Sequence, residues 1–184
     1  KYAEAAALFA DIWKIGKRVL GAEHPNTIVW MDNLALAYGA QGKTAEAAAL
    51  QAQTLEIRKR VLGAEHPDTL TSMGNLAYAY RAQGKYAEAA ALQAQTLEIQ
   101  KRVLGAEHPD TLSSMAGLAG AYAAQGKHAE AAALFAETLK IQKRILGVDH
   151  PMTLGSMGGL GAVYRAQRKH TEAAALLAAG DANA

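Results

Sequence analysis

The chain has 184 residues and a formal net charge of +2; 51% of it is hydrophobic, with alanine the largest contributor and only two Phe and two Trp. So small a charge excess, with no basic stripe, gives no reason to expect a nucleic-acid partner. The absence of cysteine excludes a disulfide framework and thiolate chemistry, and no apolar run approaches the roughly 20 residues of a membrane span. Abundant alanine suits helices that approach closely rather than a bulky central core. No signal segment follows Lys1, and the sequence opens mid-repeat, so it is read as a piece of something longer or a processed form.

Residues 2–20 carry apolar or small side chains at helical spacing (Ala5, Leu8, Ile12, Ile15, Val19) and end in Lys17 and Arg18, which favour a helix C-terminus. Gly21 ends this helix. His24-Pro25 then opens a second one, because proline is tolerated where the N–H has no intrahelical partner. Ile28, Met31, Leu34, Ala35 and Tyr38 mark its face; Gly42 closes it, and a further helix starts near Thr44. The block Gly21–Leu62 returns, with edits, as Gly63–Leu104 and Gly105–Leu146, a period of 42 residues, and a damaged fourth copy starts at Gly147. Such a period is the signature of a solenoid. Each unit is expected to be a helix A, a Gly-Lys turn and a helix B. The A helices fall near 25–41, 67–83, 109–125 and 151–167, and the B helices near 2–20, 44–62, 86–104, 128–146 and 170–179, with a small, polar, frayed end from Gly180 to Ala184.

Leu34, Ala35 and Tyr38, then Gln41-Gly42-Lys43 and Ala47, resemble a tetratricopeptide repeat. The frame L-G-x-x-H-P-x-T-L…N-L-A…Y…Q-G-K, eight residues longer than the common 34-residue form, is similar to the repeats of kinesin light chain. It also resembles arrays that follow nucleotide-binding domains in fungal and bacterial signalling proteins. The resemblance implies an all-α, right-handed solenoid of about nine antiparallel helices. The expected layout is a single array over 1–184, with 1–20 the helix B of a preceding repeat, then repeats 21–62, 63–104, 105–146 and a partial 147–184.

Three chemical constellations dissolve against the period. His24, His66, His108 and His150 stand one repeat apart. Successive repeats are displaced by about 10 Å, so these imidazoles cannot converge on one metal and are read instead as caps of the A helices. The segment from Gly39 to Thr44 has two residues between its glycines where a phosphate loop needs four; it is the A–B turn, whose glycine supplies a positive φ. Arg168 replaces that glycine in the fourth copy and should be slightly strained or alter the turn. The Ser, Thr, Asp and His residues recur in phase, with no singular nucleophile. No catalytic residue, metal or cofactor is expected.

The copies differ where function would be sought. Between the second and third, Thr71/Ser113, Gly74/Ala116, Asn75/Gly117, Tyr78/Gly120 and Arg81/Ala123 form one stripe of helix A. The first copy varies on the same stripe, at Val29, Asp32, Leu36 and Gly39. In the family it resembles, that stripe lines a concave groove, and an Asn at the place of Asn33 and Asn75 holds the backbone of an extended peptide. A carboxamide can donate to a peptide C=O and accept from its N–H at once. The resemblance places Val29, Asp32, Asn33 and Leu36 in the groove from the first repeat, and Thr71, Asn75, Tyr78 and Arg81 from the second. It adds Ser113, Gly117 and Gly120 from the third and Gly155, Gly159, Ala162 and Arg165 from the fourth. The Asn is lost at Gly117 and Gly159, which centres binding on the first two repeats. Unconstrained drift of an exposed stripe would give the same pattern.

The expected function is a non-enzymatic scaffold for a protein or peptide ligand, in the cytoplasm, with no nucleic-acid or membrane partner. The alternative is head-to-tail self-association through uncapped ends, with Ala5, Leu8, Phe9 and Ile12 bare on the first helix and Trp13 and Trp30 enlarging that surface. A sensor segment of a nucleotide-switch protein is a third reading.

Overall fold

The structure, a computed structural model, describes the backbone of residues 2–181 and the side chains of residues 2–176. Among the described residues there are nine helices and no strand. They are α1 (Tyr2–Val19), α2 (Pro25–Ala40), α3 (Thr44–Leu62), α4 (Pro67–Ala82), α5 (Tyr86–Val103), α6 (Pro109–Ala124), α7 (His128–Ile145), α8 (Pro151–Ala166) and α9 (His170–Asp181). Every expected helix is present, with ends within two residues of expectation. Gly180 and Asp181 lie inside α9, and the rest of the end read as frayed, 182–184, is outside the described residues.

Each A helix starts the same way. The Nδ1 atoms of His24, His66, His108 and His150 accept the N–H two residues on, at 3.2 Å, so the histidines are N-caps. Two residues after each proline a threonine is fully buried; the Thr111 and Thr153 hydroxyls donate to the Gly105 and Gly147 carbonyls at 2.8 Å and close the B-to-A turn. Each A helix also ends the same way. Gly42, Gly84 and Gly126 take φ of 77, 76 and 78°, which lets the following lysine N–H reach back to the tyrosine carbonyl five residues earlier, as in Lys43 to Tyr38 at 2.9 Å. The amides of Gln41, Gln83 and Gln125 donate to the carbonyls of Tyr2, Thr44 and Tyr86, tying the ends of α2, α4 and α6 to the starts of α1, α3 and α5.

The contacts divide into two compact units, Lys1–Lys85 and Tyr86–Ala184. In the first, α1 packs on α2, α2 on α3 and α3 on α4; in the second the same succession runs from α5 to α9, and α6 also touches α8. Helix α2 buries Met31, Leu34 and Ala35 between Ala6 of α1 and Leu50 of α3, with Phe9 and Trp13 packed alongside. In the second unit Ala119, Phe135, Leu139, Met157 and Leu160 do the same work.

Arg168 keeps the turn at φ 61°, a left-handed conformation without glycine. Because that costs an L-residue roughly 1–2 kcal/mol, Arg168→Gly should stabilise the protein by about 1 kcal/mol in thermal or urea unfolding. Helix α8 holds Gly155 and Gly158, where an added Cβ meets nothing within 4 Å, and Gly159, where it would lie 2.5 Å from the Phe135 ring. Gly155→Ala and Gly158→Ala should each add about 0.5–1 kcal/mol; Gly159→Ala should instead destabilise, because the ring has to move.

Candidate functional site

In the first unit, α2, α3 and α4 enclose a cavity of about 280 Å³. Helix α2 contributes Ala35, Leu36, Gly39 and Ala40, α3 contributes Thr44, Ala47 and Gln51, and α4 contributes Asn75, Tyr78, Ala79 and Ala82. Small side chains keep it open: even a Cβ on Gly39 would come no closer than 4.0 Å to Ala47. Leu36, Asn75 and Tyr78 of the variable stripe therefore meet around one space. Leu36 and Tyr78 are 56% and 63% exposed, so their apolar surface is available to a ligand, and the Arg81 guanidinium stands 5.4 Å from the Tyr78 ring centroid.

Gly39 also belongs to that stripe; the remaining stripe residues of this unit sit outside the cavity lining. Val29 is exposed and Asn33 half-buried. The Thr71 hydroxyl is committed to the Pro67 carbonyl at 3.0 Å. Asp32 is committed as well, because its carboxylate lies 2.8 Å from Arg58, and both side chains are largely buried. The same guanidinium donates to Ser72 Oγ at 2.6 Å and to the Asp68 carbonyl at 3.3 Å, so one arginine of α3 joins α2 to α4. Burial pushes the Asp32 carboxyl above its ordinary range despite the attraction of Arg58.

In the second unit Ser113, Gly155, Ala162 and Arg165 are exposed and Gly117, Gly120 and Gly159 half-buried. A Cβ on Gly117 would lie 2.6 Å from the Gln93 amide nitrogen, as one on Gly159 would lie against Phe135. At Gly117 and Gly159, then, a side chain of the preceding B helix covers the stripe.

Those B-helix residues escape a reading of helix A alone, although the period contains the signal. Positions 9, 51, 93 and 135 read Phe, Gln, Gln, Phe against Asn33, Asn75, Gly117 and Gly159. Positions 16, 58, 100 and 142 read Gly, Arg, Gln, Gln against Trp30, Ser72, Ser114 and Ser156. The Trp30 ring occupies the space a Cβ on Gly16 would need, 2.3 Å away, so Trp30 is a joint residue. Phe9 likewise packs into the α2 core, while Leu8, Ile15 and Val19 form the exposed stripe of α1.

The tetratricopeptide repeat family model matches residues 1–60, 41–102, 75–144 and 116–179. The chain is a tetratricopeptide repeat protein. Its 42-residue repeats are of the kinesin-light-chain type. The crystal structure of a Podosopora anserina putative kinesin light chain with nearly identical TPR-like repeats is 37% identical, covering 98% of this chain and 86% of that one with a TM-score of 0.81. A variant form of the same protein gives 37% identity, 98% and 85% coverage and a TM-score of 0.84. BtubC (BKLC) from P. vanneervenii shares the fold at 20% identity, with 98% and 72% coverage and a TM-score of 0.79. No curated protein matches. Tetratricopeptide proteins as a family are protein-interaction scaffolds.

The Arg58–Asp32 pair has a natural counterpart without charge, since Ala116 and Gln142 occupy the equivalent positions of α6 and α7. Arg58→Gln alone strands a buried carboxylate and should cost about 3–5 kcal/mol at neutral pH. The Asp32 pKa in that variant stays raised in the folded state, so the lost stability returns as pH falls through it. Arg58→Gln/Asp32→Ala should recover most of the loss at every pH, as read by urea unfolding from pH 4 to 8.

Proposed function

We propose that this protein is a non-enzymatic scaffold that binds an extended peptide or helix of a protein partner along the variable stripe of its A helices. The observation that carries the reading is the open cavity walled by Leu36, Asn75 and Tyr78, with two exposed apolar side chains at its rim. An apolar concavity holding a few convergent polar groups is the usual form of a ligand site, and the half-buried Asn75 carboxamide has the donor and acceptor that a peptide unit needs. Val29, Asn33 and Arg81 extend the site in the first unit, with Asp32 a support rather than a contact. Thr71, Ser113 and Arg165 belong to the same proposed stripe, in a single array over 1–184. No helix among the described residues is long and apolar enough to cross a membrane. A cytoplasmic protein with neither nucleic-acid nor membrane partners fits this reading.

Random-peptide display on the protein tests it, run beside an Asn33→Ala/Asn75→Ala/Tyr78→Ala variant. A motif enriched on the wild type and lost on the variant supports the groove; equal enrichment on both removes it.

A second reading has one observation in its favour. Leu8, Ile15 and Val19, 59%, 55% and 66% exposed, make an apolar stripe along α1 that suits self-association, including head-to-tail contact between copies. A sedimentation coefficient that rises with concentration, and stops rising in Leu8→Asp/Ile15→Asp, is the expected outcome of that reading; a monomer at all concentrations sinks it.

A further inference from the structure

We infer that Gln51, on a B helix and outside the family-like stripe, is a ligand-binding residue of the first unit. With Asn75 it would form a paired-carboxamide subsite for an uncharged, chiefly apolar side chain whose peptide N–H donates to Gln51 Oε1. The inference rests on the peptide-binding reading and specifies the chemistry of the bound residue.

Gln51 is 2% exposed, lines the cavity, and its Oε1 has no hydrogen-bond donor among the described residues. A buried acceptor left unpaired is unfavourable, and the terminal torsion of glutamine is broad. A ligand N–H entering the cavity can therefore draw the carboxamide toward itself and supply the missing bond. None of the cavity's lining residues is charged. A charged ligand group would lose its hydration there without compensation, whereas an apolar side chain gains from Ala35, Leu36 and Tyr78.

The other repeats explain why this position is available. Gln93, the counterpart of Gln51, lies against Gly117, and Phe135 lies against Gly159. In both, the B-helix side chain rests on a bare stretch of helix A. Asn75 has a side chain where those helices have none, so Gln51 cannot lie down in the same way and faces the cavity instead. The groove is thus set by two residues per repeat, one on helix B and one on the next helix A. Of the combinations Phe–Asn, Gln–Asn, Gln–Gly and Phe–Gly, the Gln51–Asn75 pair brings two carboxamides to one open space.

The test uses peptides selected on the whole chain, with affinity and melting temperature measured for Gln51→Leu, Gln51→Phe and Asn75→Gly. Leucine keeps the volume and removes the orphan acceptor, so Gln51→Leu should melt at the same or a higher temperature yet bind about tenfold more weakly. Gln51→Phe uses the residue found at positions 9 and 135; it should fold normally and lose the preference for an apolar residue at the corresponding peptide position. Wild-type affinity in both Gln51 variants, with loss only in Asn75→Gly, overturns the inference and leaves the groove reading standing. Failure of the wild type to enrich any peptide brings down both.

Discussion

The structure depends on a backbone constraint: at two points per repeat the chain must adopt a positive φ. Gly42 and Gly126 reverse the chain from helix A to helix B, Gly84 takes the same left-handed φ, and Gly21, Gly63, Gly105 and Gly147, with φ between 90 and 97°, turn it from B to the next A. With both reversals fixed, the apolar faces of successive helices are brought into register and alanine suffices to fill them. Helices built on Ala, Met and Leu can then pack closely without the large aromatic cores of globular domains of this length. The polar elements around the turns (the histidine cap, the buried threonine and the glutamine clasp) support the reversals and recur because the reversals do.

Most of this was legible in the sequence. Periodicity gave helices and ends, His-Pro gave the caps, and Arg168 announced a turn held against its preference. The reason is that these features are local: each depends on residues within about five positions of one another, and four copies repeat the message. Legibility stopped at the joints. Asp32 looks like a groove carboxylate until its distance to Arg58, 26 positions away, is known, and Trp30 looks like an exposed oddity until its ring is found over Gly16. Such partners lie on different helices, and aligning the copies shows that a position varies without showing what it varies with. The same limit hid Gln51, a polar residue on a helix B whose counterparts are glutamine or phenylalanine.

Variation on the A-helix stripe therefore has two physical sources. Asn75, Tyr78, Leu36 and Gly39 differ from their counterparts around an open space and shape what can enter it. Asp32, Gly117 and Gly159 differ because a neighbouring helix B brings a guanidinium, an amide or a ring to that spot. Only the first kind would bear directly on selection by the groove proposed above, so that proposed surface is smaller than the variable surface.

The pairing of Gly16 with Trp30 and of Arg58 with Asp32 also bears on how such an array can change over evolutionary time. Nearly identical tandem units invite unequal recombination, which deletes or duplicates whole repeats. A crossover that joined α5 to a copy of α2 would set Gln100 against the indole that requires glycine at that place. One that joined α1 to α4 would leave a gap where that indole had been. Units that look interchangeable by alignment are ordered by these knob-and-hole partners, so the array can gain or lose repeats cheaply only among copies whose joints match.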